Sequence, residues 1–150
     1  MSGLTRVFAF LLLMFGSALP PEQITSTRAG KADLVVTRLG PAHAAAGGSL
    51  HLSTQVRNRG AGRVGRSTIS YFLSRHAGKD PSDARLVGRM RVPALRPGTT
   101  FEGRVHLTVP PAVPGGAYYV VTCADDTERI SERNESNNCR VSTQRVRVTA

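Results

Sequence analysis

A chain of 150 residues has room for one domain of ordinary size. Twenty Lys and Arg against ten Asp and Glu leave a formal net charge of +10, with Trp absent. The cations are mostly Arg and scattered singly, with few aromatic rings between them, which argues against a specific nucleic-acid site built from clustered charge and stacking.

Arg6 precedes Val7–Phe15, an unbroken apolar run, and Gly16-Ser17-Ala18 supplies the small residues that a signal peptidase needs. Such a run suits a signal-peptide core and is too short for a bilayer, which takes about 20 apolar residues. The expectation is a signal peptide over 1–18, a flexible tether over 19–32 and a single domain over 33–150. No cysteine near the cleavage point argues for a lipid anchor. A chain exported in this way is secreted, periplasmic or at the cell surface, and is not transmembrane after cleavage.

Beyond the tether, apolar and polar residues alternate with period two between Gly and Pro punctuation, as in a sandwich of short strands. The first predicted strand, Asp33–Leu39, is ended by Gly40-Pro41. In the second, Leu50, Leu52, Thr54 and Val56 share one face, and Asn58–Gly62 forms a turn. The third places Ile69, Tyr71 and Leu73 on one side. A fourth strand spans Leu86–Val92, and Pro93 and Pro97-Gly98 close it. The fifth sets Phe101, Gly103, Val105, Leu107 and Val109 against polar alternates.

The sixth strand, Ala117–Cys123, is apolar on both faces, which predicts a central position, with Tyr119, Val121 and Cys123 facing inward. The seventh, Cys139–Val148, changes apolar parity between Val141 and Val146, the mark of a bulge. Seven such strands at these turn spacings predict an all-β, immunoglobulin-like (fibronectin type III-like) seven-stranded antiparallel sandwich.

The only two cysteines, Cys123 and Cys139, flank a dense run of acids and asparagines. They predict a disulfide-closed hairpin tip and an oxidising compartment. Within the tip, Asp125, Asp126, Glu132, Asn134 and Glu135 carry enough oxygen for calcium, which takes 6–8 oxygen ligands. Their spacing matches no EF-hand loop. Asn and Asp also build turns by bonding nearby backbone, and that reading makes Asp125, Glu132, Asn134, Glu135 and Asn138 a scaffold for the tip. Ile130 is expected to plug the sandwich edge. His51 and His106 fall on polar faces of strands expected to be neighbours, so they are either solvated surface or half a zinc site. Arg59, Arg63 and Arg66 form the one modest basic cluster.

Asp33-Leu-Val-Val36, Val56-Arg-Asn-Arg-Gly60, Tyr71-Phe-Leu-Ser74, Gly115-Gly-Ala-Tyr-Tyr119, Ala124-Asp125 and Glu132-Arg-Asn-Glu-Ser-Asn-Asn138 follow in that order. Together they resemble CARDB, the cell-adhesion-related domain found in bacteria. The resemblance implies an immunoglobulin-like fold on the cell exterior and a non-catalytic module with an adhesion role.

No Gly-x-Ser-x-Gly elbow, His-Glu-x-x-His helix or Gly-rich phosphate loop occurs, so a catalytic site is not expected and no cofactor is implied. The first functional expectation is an exported, non-catalytic binding or adhesion module with a protein or glycan partner. The alternative is a calcium- or polyanion-responsive structural protein of the envelope, and a small hydrolase stands a distant third.

Overall fold

Alternation sends every second side chain of the long strands into the space between two antiparallel sheets. The computed structural model describes residues 30–40, 42–45 and 48–149. In chain order the strands are β1 (Leu34–Leu39), β2 (His43–Ala45), β3 (Ser49–Asn58), β4 (Ser67–Ser74), β5 (Ala84–Arg85), β6 (Met90–Val92), β7 (Thr100–Thr108), β8 (Gly116–Ala124) and β9 (Cys139–Val148). A 3-10 turn at Glu135–Asn137 precedes β9.

In the first sheet β3 is central, with β7 along one side and β1 and β2 in succession along the other. The edge is therefore interrupted after Leu39 rather than ended there. Leu39 lies opposite Thr54, Gly40 N–H donates to Ser53 O at 2.8 Å, and His43 resumes the ladder opposite His51.

The second sheet runs β4-β8-β9, with β5 and β6 sharing the outer edge of β4. This corrects the expected single strand Leu86–Val92. Leu86 N–H still reaches Tyr71 O, but Val87 leaves the sheet and exchanges two 2.9 Å backbone bonds with Thr108 of β7. Gly88, at φ +121°, turns the chain back toward β6, a conformation that strongly favours glycine. Leu86, Met90 and Val92 keep one parity through the excursion, so alternation cannot reveal it. Each broken edge counted once gives the seven strands that turn spacing predicted.

β8 lies between β4 and β9, as its two apolar faces require. The facing was expected the other way round. Tyr118, Val120 and Ala124 enter the core, while Val121 and Cys123 pack on the outer face with Phe72 and Val141. Hydrophobicity cannot assign parity when both faces are buried. The outer cluster is covered by cations: Lys79 Nζ sits 4.8 Å from the Phe72 ring centroid and the Arg85 guanidinium 5.8 Å. Asp126 pairs with both cations.

The parity change in β9 is a bulge. Tyr119 faces Arg145 and Val121 faces Val141, and Val120 N–H finds Ser142 Oγ at 3.0 Å. Two tyrosines anchor the sandwich. Tyr118 donates its hydroxyl to Pro114 O at 2.7 Å, the corner bond expected at the start of this strand in immunoglobulin-like folds. Tyr71 donates to Thr54 Oγ1 at 3.1 Å across the two sheets. Burial pushes the Tyr71 hydroxyl up to about 12, against the opposing pull of Thr54.

Candidate functional site

β8 and β9 pair in register at the base of the tip, so Cys123 and Cys139 lie directly opposite each other. They form a disulfide with Cα atoms 4.0 Å apart. Beyond it the chain makes two turns. In the first, Asp125 takes φ +44°, which short polar residues tolerate better than most. Its N–H donates to Thr68 O at 3.1 Å, and its Oδ2 accepts from Ile130 N–H at 2.7 Å. Ile130 is half-buried against the core.

The second turn folds back against the start of β1. Glu132 makes a parallel bridge with Ala32, and Arg133 N–H donates to Ala32 O at 2.7 Å. The buried Glu132 carboxylate accepts from Leu34 N–H and from Asn138 Nδ2. Glu132 N–H in turn donates to Glu135 Oε1 at 2.8 Å, and Asn134 caps the 3-10 turn through Ser136 N–H at 3.0 Å. Asn137 Nδ2 reaches Asp33 Oδ1 at 2.9 Å, and Asp33 N–H donates to Asn58 Oδ1 at 3.2 Å. Asn58, wholly buried, also donates to Gly62 O at 2.7 Å and accepts from Gly60 N–H at 3.0 Å. Only glycine fits at Gly60, where a Cβ would stand 2.3 Å from Lys31 O. Lys31 and Ala32, within the expected tether, are thus built into this end of the sandwich.

The tip and β1 therefore share one polar knot of Asp33, Asn58, Glu132, Asn137 and Asn138. Burial pushes the Glu132 carboxyl up to about 7, opposed by the Leu34 N–H bond and reinforced by the negative charges of Glu135, Asp125 and Asp33.

Each proposed calcium ligand has a partner within the protein. Asp125 holds Ile130 N–H, Asp126 pairs with Lys79 and Arg85, and Asn134 holds Ser136. Glu132 and Glu135 are engaged as above. Among the described residues no three His, Cys, Asp or Glu side chains converge as a metal site. The Oδ1 atoms of Asn137 and Asn138 are buried without a partner. His51 and His106 are opposite each other on β3 and β7, both exposed, with ring centroids 4.4 Å apart.

Sequence reasoning missed a groove of about 660 Å3 beside the tip. Arg66, Arg89, Arg91 and Arg129 border it together with Phe101 and Asp125. Of the basic cluster expected in the 59–66 turn, Arg66 alone borders this groove. The one local signal was Arg89 and Arg91 flanking Met90, two cations at the start of an edge strand.

Two antiparallel sheets, a seven-strand count and the tyrosine corner define an immunoglobulin-like sandwich. The CARDB family model matches residues 31–142, and the chain belongs to the CARDB family. Two solved structures share the fold. The CARDB domain of the PF1109 protein from Pyrococcus furiosus, determined in complex with di-metal ions, is 19% identical with a TM-score of 0.56, over 79% of this chain and 90% of that one. The 272–376 domain of a "putative cell surface protein" from Methanosarcina acetivorans is 18% identical with a TM-score of 0.57, over 79% and 93%. No curated protein matches the chain. No helix among the described residues is long and apolar enough to cross a membrane.

Proposed function

We propose that the protein acts outside the cytoplasm as a non-catalytic adhesion module, binding a protein or glycan through the surface around its disulfide-closed tip. The observation that carries this reading is the tip itself. A disulfide at its base and the buried knot at its far end hold residues 124–138 in one conformation. A surface ordered before binding loses less entropy when a partner docks. The disulfide suits an oxidising compartment, and the CARDB family and a cell-surface relative are consistent with that location.

The expected signal peptide lies outside the described residues and is tested directly. N-terminal sequencing of the native protein should start near Leu19, and intact Met1 on most molecules would overturn export. Immobilised protein should capture envelope components, and a Cys123→Ser/Cys139→Ser variant should lose them while its tip becomes protease-sensitive. Equal capture by both forms would separate the tip from binding. Thermal melting in calcium and in chelator tests the calcium-responsive alternative, and the adhesion reading expects the two curves to coincide.

A further inference from the structure

We propose that the groove between β6 and the tip binds an acidic polysaccharide, recognising carboxylates carried on its sugar rings. This rests on the reading of the chain as an extracellular binding module and supplies its ligand class.

Four guanidinium groups converge on the groove from three distant parts of the chain: Arg66 before β4, Arg89 and Arg91 at β6, and Arg129 in the tip. All four are exposed, and none is in an ion pair among the described residues. Their charge is available to a ligand. A guanidinium offers a rigid fork of N–H donors that matches a carboxylate bidentately. Met90 and Val92 point into the core, which turns Arg91 outward, and Arg89 enters the groove from the residue just before β6. Thr68 is the cross-strand partner of Arg91, so its hydroxyl stands on the same face.

The remaining lining selects among polyanions. A nucleic acid wants a stacking ring for each base. Among the described residues Phe101, half-buried, is the one aromatic side chain that lines this groove, and Asp125 contributes a carboxylate to the wall. Asp125, Ser67 and Thr68 offer oxygens that accept hydrogen bonds from sugar hydroxyls. A single ring face suits the C–H face of one pyranose. The volume of about 660 Å3 falls within the range of small-ligand sites and leaves room for a short saccharide segment. Asp125 is also the residue whose Oδ2 holds Ile130 N–H, so the bonds that order the tip also set the groove wall.

The test is calorimetric titration of the exported chain with hexagalacturonate, with its neutral galactose counterpart and with a single-stranded oligonucleotide. At about 50 mM salt, where screening is weak, hexagalacturonate should bind and the neutral sugar should not. Arg89→Ser/Arg91→Ser should weaken binding at least about tenfold, as loss of charge-assisted hydrogen bonds does. Arg59→Ser/Arg63→Ser removes the same charge from residues that do not border the groove and should weaken binding several-fold less. All these residues are exposed, so unchanged melting shows that both variants fold. Equal weakening by the two variants would make the attraction diffuse and overturn the site. Tighter binding of the oligonucleotide would replace the ligand class. Absence of hexagalacturonate binding while envelope capture persists would sink the polysaccharide proposal and leave the adhesion reading standing. Loss of envelope capture together with groove-dependent hexagalacturonate binding would do the reverse.

Discussion

Between the sheets, burial is carried by aliphatic side chains such as Val56, Leu107 and Val120; beside β1 it is carried by Asp33, Asn58, Glu132 and Asn138. Both regions exclude water. The first is held by packing, which has no direction and tolerates side chains of similar volume. The second is held by hydrogen bonds, each of which needs its own donor and acceptor in place. Substitutions that keep shape but change polarity should therefore separate the two regions.

Leu107→Ala should give the largest loss, about 3–4 kcal/mol in urea denaturation, whereas Leu107→Met should cost about 1 kcal/mol. Asn58→Ala strands the N–H groups of Asp33 and Gly60 and the carbonyl of Gly62, for about 3 kcal/mol. Asn58→Leu restores volume without bonds and should be no better. If Asn58→Leu regains most of the stability, the end beside β1 is another apolar core and the comparison collapses.

pH sharpens the contrast. A carboxyl whose pKa is raised by folding stays protonated in the native state after the unfolded chain has ionised. Stability then falls as pH rises from about 4.5 to about 7, with no further change above that range. A shift of this size corresponds to at most about 3 kcal/mol. Glu132→Gln should abolish the decline, because an amide does not titrate, while its oxygen can still accept from Leu34 N–H. Leu107→Ala should leave the decline intact. Urea midpoints between pH 5 and 8 decide this, and an equal decline in Glu132→Gln would assign it to another group.

The smallest effect belongs to Asn134, whose cap is exposed. Asn134→Ala should cost about 1 kcal/mol and raise proteolysis within the tip, equally in calcium and in chelator. Protection of the wild type only in calcium would favour metal over backbone bonding.

The sandwich was legible because its signals are local. Leu50, Leu52, Thr54 and Val56 declare their shared face by spacing, and the parity change from Val141 to Val146 declared the bulge. Facing failed at β8, where Tyr118 and Tyr119 are both bulky and both sides of the strand are covered. The tip's acids and asparagines were identified, but not their partners. Asp33 bonds Asn137 across 104 positions, and Leu34 bonds Glu132 across 98.

By itself the sequence determined the strand rhythm, the cysteine pair at the base of the last hairpin and the chemistry available in its tip. Each follows from alternation, turn residues and composition within a short window. Tertiary structure decided the rest: which face of β8 looks inward, that the tip folds onto β1, and that Arg66, Arg91 and Arg129 border one groove. Hydrophobic periodicity encodes whether a residue is buried. It carries no record of which distant donor meets which acceptor, because directional bonds and shared charge depend on positions that only the closed chain creates.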